Sequence, residues 1–524
     1  EVMPYDWVVA LEQPNNQDPF VADDFMSSYR IIPDHDKVEN PDELPIGFAK
    51  DDPDPITGIQ NFGLTCATCH TALMTYKGTG IRIDGAPGLV EFDGFLGRVA
   101  AAVGATVADS SKFERFARKV LKDKYNAAAA SALKKQVNDF MGVQGKGKID
   151  LFINNLLGGE KNTRNGYGRI DALGSGGNRL YGVLDTKNLS ALNAPVKAMP
   201  LWYSHEYNWV QTNGSIRQPM ARNIIESLAV NASVTFGPGS SPKDWYVSSA
   251  RLHNMYDLET YLARLKAPEW PEQIFGKIDQ AAAQRGQPLY QQYCAGCHSL
   301  KMENKPEPGD DVAAKYNKTY WILRLFPADK IGTDPTDADN FADRTLDASS
   351  IKDQLPPPYN ASPKNVPGAV VIGMVLGGIE QRTYADTNVP VEQQDLWNGY
   401  RANLLRACKS YPARPLAGIW ACPPYLHNAS VPSLYQLLLP AAERDKVFYT
   451  GSVEFDPVNV GYETTKIQGG FKYDTSRKGN SNAGHEYGVK LTKEQRMDLI
   501  EYLKTLKFPD ANYQTADPQP ECPK

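Results

Sequence analysis

Two pentapeptides decide how this chain is read: Cys66-Ala-Thr-Cys69-His70 and Cys294-Ala-Gly-Cys297-His298. Cys-x-x-Cys-His is the attachment pattern of c-type haem. Two intervening residues let both sulfurs reach one porphyrin edge from a single helical turn, where they form thioethers with the vinyl groups. The histidine that follows is carried under the ring, and its imidazole takes the iron as proximal ligand. Two covalently bound haems c are therefore expected, attached at Cys66, Cys69, Cys294 and Cys297, with His70 and His298 on the irons. Other readings fit less well. A four-cysteine zinc site does not require histidine directly after both pairs. A thioredoxin-like motif wants one copy, opening a helix in a βαβ unit.

The surrounding composition suits a folded protein built around such groups. At roughly 150 residues per domain, 524 residues imply two to four domains. Balanced charge, 56 basic against 61 acidic residues, with 41% hydrophobic content excludes a disordered chain. A net charge of -5 makes no electrostatic case for nucleic acid or an anionic membrane as partner. The longest apolar run, Ala369 to Ile379, is too short to span a bilayer. Glu1 is not followed by a charged n-region and an apolar h-region, so any signal peptide is expected to have been removed or to lie outside this sequence. Haem c is normally attached outside the bacterial cytoplasm, which implies a periplasmic or secreted protein.

Each pentapeptide is expected to sit in its own cytochrome c-like domain. The stretch from Ala281 to Cys294 reads as a helix delivering the second motif. Apolar spacing from Met497 to Leu506 predicts a closing helix, and Tyr256 to Leu265 predicts its counterpart in the first half. Pro268 and Pro271 mark the boundary. The expected plan is an extended arm over 1–60, a first domain over 61–268 and a second over 269–524. Phe113 to Phe140 should form one or two surface helices. Gly142 to Gly182 is expected to be irregular, and Pro306 to Pro367 to form loops around the second haem. Little strand-like alternation is visible, so the fold class is mainly α with long loop insertions and little β. Cys408, Cys422 and Cys522 remain. Two of them should pair in an oxidising compartment, with Cys408 to Cys422 preferred and either pairing with Cys522 left open.

A six-coordinate haem transfers electrons, whereas a five-coordinate one offers an open face to oxygen or peroxide. Five further histidines and ten methionines compete for the two distal positions. His485, in the flexible loop Gly479-Asn-Ser-Asn-Ala-Gly-His485, lies where a cytochrome c fold supplies its distal ligand, with Met497 as rival. In the first half His253 and Met255 occupy the comparable place, but an open iron on His70 is preferred.

Further blocks carry a resemblance. Arg414-Pro-Leu-Ala-Gly-Ile-Trp-Ala-Cys422-Pro-Pro-Tyr-Leu-His427-Asn-Ala-Ser-Val-Pro-Ser-Leu-Tyr435 resembles a block of the dihaem cytochrome c peroxidases and methylamine-utilisation dihaem enzymes. Ile81 to Gly88, Gly166 to Asp171, Trp209 to Gly214 with Ala221-Arg-Asn223, and the His485 loop are similar to a narrower group, the rubber oxygenase A-like dihaem dioxygenases. The resemblance implies an oxygen-binding N-terminal haem on His70 and a bis-histidine C-terminal haem on His298 and His485. It implies that His427 lies beside the second haem without ligating it, and that an aromatic residue stands between the haems, Trp209 first and Trp202 second. Calcium occurs between the domains of the peroxidase relatives, but no ligand set here commits the chain to it.

The function expected is oxygen activation at the His70 haem, to oxidise or cleave an apolar unsaturated substrate such as an isoprenoid or unsaturated fatty acid. Ile224 to Val230 should then form an apolar distal wall, with Glu226 as its discordant member. A peroxidase would instead need a distal acid–base group, and Glu226 could serve, although an ordinary solvated helix-face glutamate is the simpler reading. Such a peroxidase, drawing electrons from a redox partner, is the alternative. A non-catalytic electron-transfer dihaem cytochrome is the third reading.

Overall fold

A computed structural model describes residues 1–142, 161–509 and 513–523. The fold is mainly α with small two- and three-stranded sheets. A single apolar cluster runs through both halves of the chain, from Ala72 and Met74 to Leu499 and Leu503. At its centre lies the helix Gly368–Asp386, which contains the longest apolar run and packs on the helices Ala172–Leu184 and Pro219–Ala229. Among the described residues no helix is long and apolar enough to cross a membrane.

The first sixty residues are less extended than expected. Tyr5–Ala10 and Asp23–Ser28 are short helices, and Phe48–Pro53 pairs antiparallel with Gln60–Leu64, which also pairs with Met3–Pro4. Tyr5, Trp7, Val8 and Leu11 need burial, and they find it in a second apolar cluster with the helices Phe92–Ala108, Ser110–Leu121 and Ala127–Met141. The last two match the helices expected over 113–140. Asp109 and Asn126 cap their N-termini and Gly142, at φ 72°, ends the second.

Within the glycine-rich stretch, residues 143–160 lie outside the described residues, but Ala172–Leu184 is a helix rather than irregular chain. Asp171 accepts from Gly174 N–H as its cap. One of its glycines makes room for a neighbour: a Cβ at Gly182 would stand 2.8 Å from the Leu189 side chain. The stretch 306–367 is loop-rich, broken by short helices such as Asp311–Lys315 and Thr336–Ala342.

The second motif is delivered as expected. Helix Gln280–Tyr293 runs into Ala295–His298 and crosses Lys493–Lys504, the closing helix, which opens on a Thr492/Gln495 capping box. The crossing is backbone on backbone: a Cβ at Gly286 would stand 2.0 Å from the Asp498 carbonyl oxygen. In the first half a strand, Gln60–Leu64, leads to the motif, and the hairpin Thr71–Tyr76/Thr79–Asp84 follows it.

The disulfide joins Cys408 to Cys522, not to Cys422. Cys422 is buried with its thiol aimed at the Gly418 carbonyl. The tail instead returns to the body, where Gln514–Ala516 pairs in parallel with Lys301–Glu303 and brings Cys522 to Cys408.

Candidate functional site

Cys66–Cys69 forms one helical turn, closed by the His70 N–H donating to the Cys66 carbonyl at 3.0 Å. Thr68 Oγ1 donates to the Gly47 carbonyl at 2.5 Å and anchors the turn on the N-terminal segment. Cys66, Cys69 and His70 form one wall of a cavity of about 770 Å³. Burial pushes both thiols up to about 12, so neither is the thiolate that a redox-active pair needs. Burial also lowers His70 to about 4, with the Met199 carbonyl opposing part of the shift. His70 Nδ1 is buried without a hydrogen-bond partner among the described residues. The imidazole is therefore neutral, the form that ligates a metal.

Opposite stands the helix Pro219–Ala229, started by Gln218, whose side chain accepts from Ala221 N–H. Its Ile224, Ile225 and Leu228 are buried in the core. The residues turned to the cavity are Arg222, Asn223, Glu226, Ser227, Ala229 and Val230. The apolar wall expected over 224–230 is found only in part: Ala229 and Val230 face the cavity, but 3.6-residue periodicity sends Ile224, Ile225 and Leu228 to the core and turns Glu226 and Ser227 to the cavity. Nor is Glu226 a solvated helix-face residue. It is half-buried, lines the cavity and accepts from Gln211 Nε2 at 3.0 Å. Desolvation raises its carboxyl above the usual range, with Arg222 opposing. Arg222 itself pairs with Glu259. Val210, Met255 and Leu258 also line the cavity. His253 does not: it is exposed, pairs with Asp257 at 3.3 Å and meets Trp397 edge-on.

At the second motif, His298 Nδ1 bonds the Arg414 carbonyl at 2.7 Å, which leaves Nε2 free and fixes the ring. The His298 and His485 ring centres are 6.2 Å apart. Two metal–nitrogen bonds of about 2 Å, each extended by roughly 1.1 Å to a ring centre, give about 6.2 Å for opposed imidazoles. The pair therefore fits one iron between them. His485 holds a left-handed backbone at φ 49°, a strained choice for a residue with a Cβ. Three contacts impose it. His485 N–H donates to the Ile331 carbonyl at 2.9 Å, and Gly484, at φ 70°, lies against Gly332 where a Cβ would not fit. Arg444, buried, donates to the carbonyls of Asn482, Gly484 and His485 at 2.7, 2.8 and 3.3 Å.

His427 stacks its ring on Tyr411 at 4.0 Å, and burial lowers it to about 4. Trp209 is buried with Nε1 donating to Glu307 at 2.9 Å and the Arg406 guanidinium 4.0 Å from its ring centre. Trp202 is buried against Gly85 and Gly418. Neither indole lines the His70 cavity. Glu307 belongs to a buried network in which Arg217 binds Asp310 at 2.5 Å, Glu307 at 2.8 Å and Glu303 at 3.4 Å. Among the described residues no group of three or more His, Cys, Asp or Glu side chains converges as a metal site, so the four motif cysteines do not form one zinc centre. Sequence reading missed Gln211, Arg414 and Arg444 as site residues. The first two stand inside quoted blocks; Arg444 has no local signal.

Two family models match parts of the chain: "RoxA-like, cytochrome c-like" over residues 410–449 and the cytochrome C1 family over 270–365. The chain is 35% identical to uncharacterized protein y4iJ of Sinorhizobium fredii over 552 residues, covering 96% of this chain and 89% of that protein. It is 26% identical to y4iM of the same organism over 338 residues, 58% of this chain and 63% of that protein. The chain therefore belongs to the y4iJ family, and it is a c-type cytochrome that carries covalently bound haem c.

Proposed function

We propose that this chain is a dihaem c-type cytochrome, periplasmic or secreted, that activates oxygen at the His70 haem to oxidise or cleave an apolar unsaturated substrate. One observation carries the reading: the cavity over Cys66, Cys69 and His70 is lined chiefly by apolar side chains, Val210, Ala229, Val230, Met255 and Leu258 among them. Haem c bound there supplies the iron at which oxygen is activated. The protein's part is to seat an apolar substrate and keep water away. The 6.2 Å spacing of His298 and His485 supports a second, six-coordinate haem reserved for electron transfer. His427 is proposed to pack beside that haem, and Trp209, beside the Arg217 network, to take part in communication between the haems.

A specific contact favours the alternative. Glu226, oriented by Gln211, is a cavity carboxyl whose pKa burial raises, which suits moving a proton between peroxide oxygens. The two enzymes separate by assay: oxygen uptake with polyisoprene or an unsaturated fatty acid, against peroxide turnover with a reduced donor. Oxygen uptake without external reductant supports the dioxygenase; peroxide turnover alone defeats it. The electron-carrier reading is tested by spectroscopy. An open His70 iron binds CO or cyanide in the wild type, and Met255→Leu leaves its spectrum unchanged. Two low-spin irons that bind neither ligand would remove both enzymes.

A further inference from the structure

Six cationic side chains line the cavity: exposed Lys50, Arg251 paired with Asp51, and Arg169, Lys197, Arg222 and Arg414. Arg222 has a carboxylate partner in Glu259. Arg169 is solvated by carbonyls of Asn165 and Asn428 and by Tyr473 and Asn480. Lys197 and Arg414 differ. Lys197 Nζ donates to the carbonyls of Cys422 and Pro424 at 2.5 and 2.7 Å, and Arg414 Nη2 to the Gln211 carbonyl at 3.2 Å. Among the described residues neither has a carboxylate within ion-pair distance, and burial disfavours the charged form of both, with Arg414 adding to the effect on Lys197 and Arg222 to that on Arg414. Two like charges desolvated side by side are strongly unfavourable without a counter-anion. The group that fills this cavity must bring one, and haem c carries two propionates.

Arg414 has a second role on its main chain, since its carbonyl receives His298 Nδ1 at 2.7 Å. One residue thus holds the proximal imidazole of one site and presents a cation to the cavity of the other. We propose that Arg414 links the two haem sites: its carbonyl fixes the His298 imidazole, and its guanidinium, with Lys197, neutralises a propionate of the His70 haem. This rests on the dihaem reading. A buried cation at a propionate favours the reduced iron, which carries one positive charge fewer. Arg414 therefore acts as a positioning residue for His298 and an electrostatic one for the His70 haem.

The test uses the holoprotein. Haem content per chain is measured first by the pyridine haemochrome, then the two midpoint potentials are measured for wild type, Arg414→Gln, Arg414→Lys and Lys197→Met. Arg414→Gln is expected to disfavour reduction of the His70 haem at least tenfold, which is 59 mV for a one-electron couple. Arg414→Lys should restore most of that loss, and Lys197→Met should move the same haem in the same direction. The low-spin signal of the His298 haem should persist in all three, because the carbonyl at 414 remains. Two haems per chain with an unmoved His70 potential in Arg414→Gln, or in Lys197→Met should the former not fold, overturns this proposal and leaves the dihaem reading standing. One haem per chain in wild type overturns both.

Discussion

At Glu226 a carboxyl sits in a mainly apolar cavity with Gln211 as its one side-chain donor among the described residues, and burial raises its pKa. Glu226→Gln keeps the shape and removes the proton. Peroxide turnover, measured with a reduced donor, is expected to fall by about 10²–10⁴-fold, the usual worth of a general acid–base group, while oxygen uptake with an apolar substrate changes little. A second carboxyl serves no such chemistry. Glu380, on the central helix, is pushed by burial from 4.5 to about 8, with Gln218 as its hydrogen-bonding neighbour and Tyr384 beside it. The folded state keeps a proton that the unfolded chain releases near 4.5, so this residue's contribution is complete below that pH. It is lost as pH rises toward about 8. Glu380→Gln should flatten the fall in Tm over that window, measured by thermal melts across pH, and raise Tm at its alkaline end. Neither assignment could be read locally, because a glutamate among apolar residues looks the same whether its helix face meets solvent, a cavity or a core.

At the scale of elements, two crossings position the sites. Helix Gln280–Tyr293 and helix Lys493–Lys504 meet at Gly286, where a side chain would enter the Asp498 carbonyl. Gly286→Val is expected to destabilise the protein by about 1–3 kcal/mol through overpacking. On the proposed dihaem reading it should also disturb the site at His298 and His485 before the one at His70, read as loss of a low-spin haem signal on mild heating. The periodicity of both helices was legible from the apolar spacing, and so was the loop that carries His485. What holds that loop was not, because Arg444 reaches it from 41 residues away in sequence to donate to its carbonyls. The helix Pro219–Ala229 makes the same point about faces: its pattern shows a helix, but both of its sides are enclosed. Only the neighbours decide that Ile224 meets the core and Glu226 the cavity.

Across the whole molecule, one apolar cluster draws on both halves, and the tail is stitched back onto it. The Cys408–Cys522 bond closes a separation of 114 residues. Cys522→Ser should cost about 2–4 kcal/mol, measured by denaturant unfolding of oxidised wild type against the variant, and Cys422→Ser should not reproduce this through loss of a bridge. The cysteine count could not reveal the pairing, since three thiols allow several partners and only the returning strand Gln514–Ala516 brings one pair together. The sequence by itself determined the haem chemistry, because attachment needs two thiols and an imidazole within one turn, and that information is entirely local. It also determined the mainly α class through apolar spacing. Tertiary structure alone decided which side chains line the cavity over His70, Glu226, Gln211 and Arg414 among them, and the 6.2 Å approach of His298 and His485. Those contacts join residues far apart in the chain, and only close packing, which leaves each side chain one place to go, sets them.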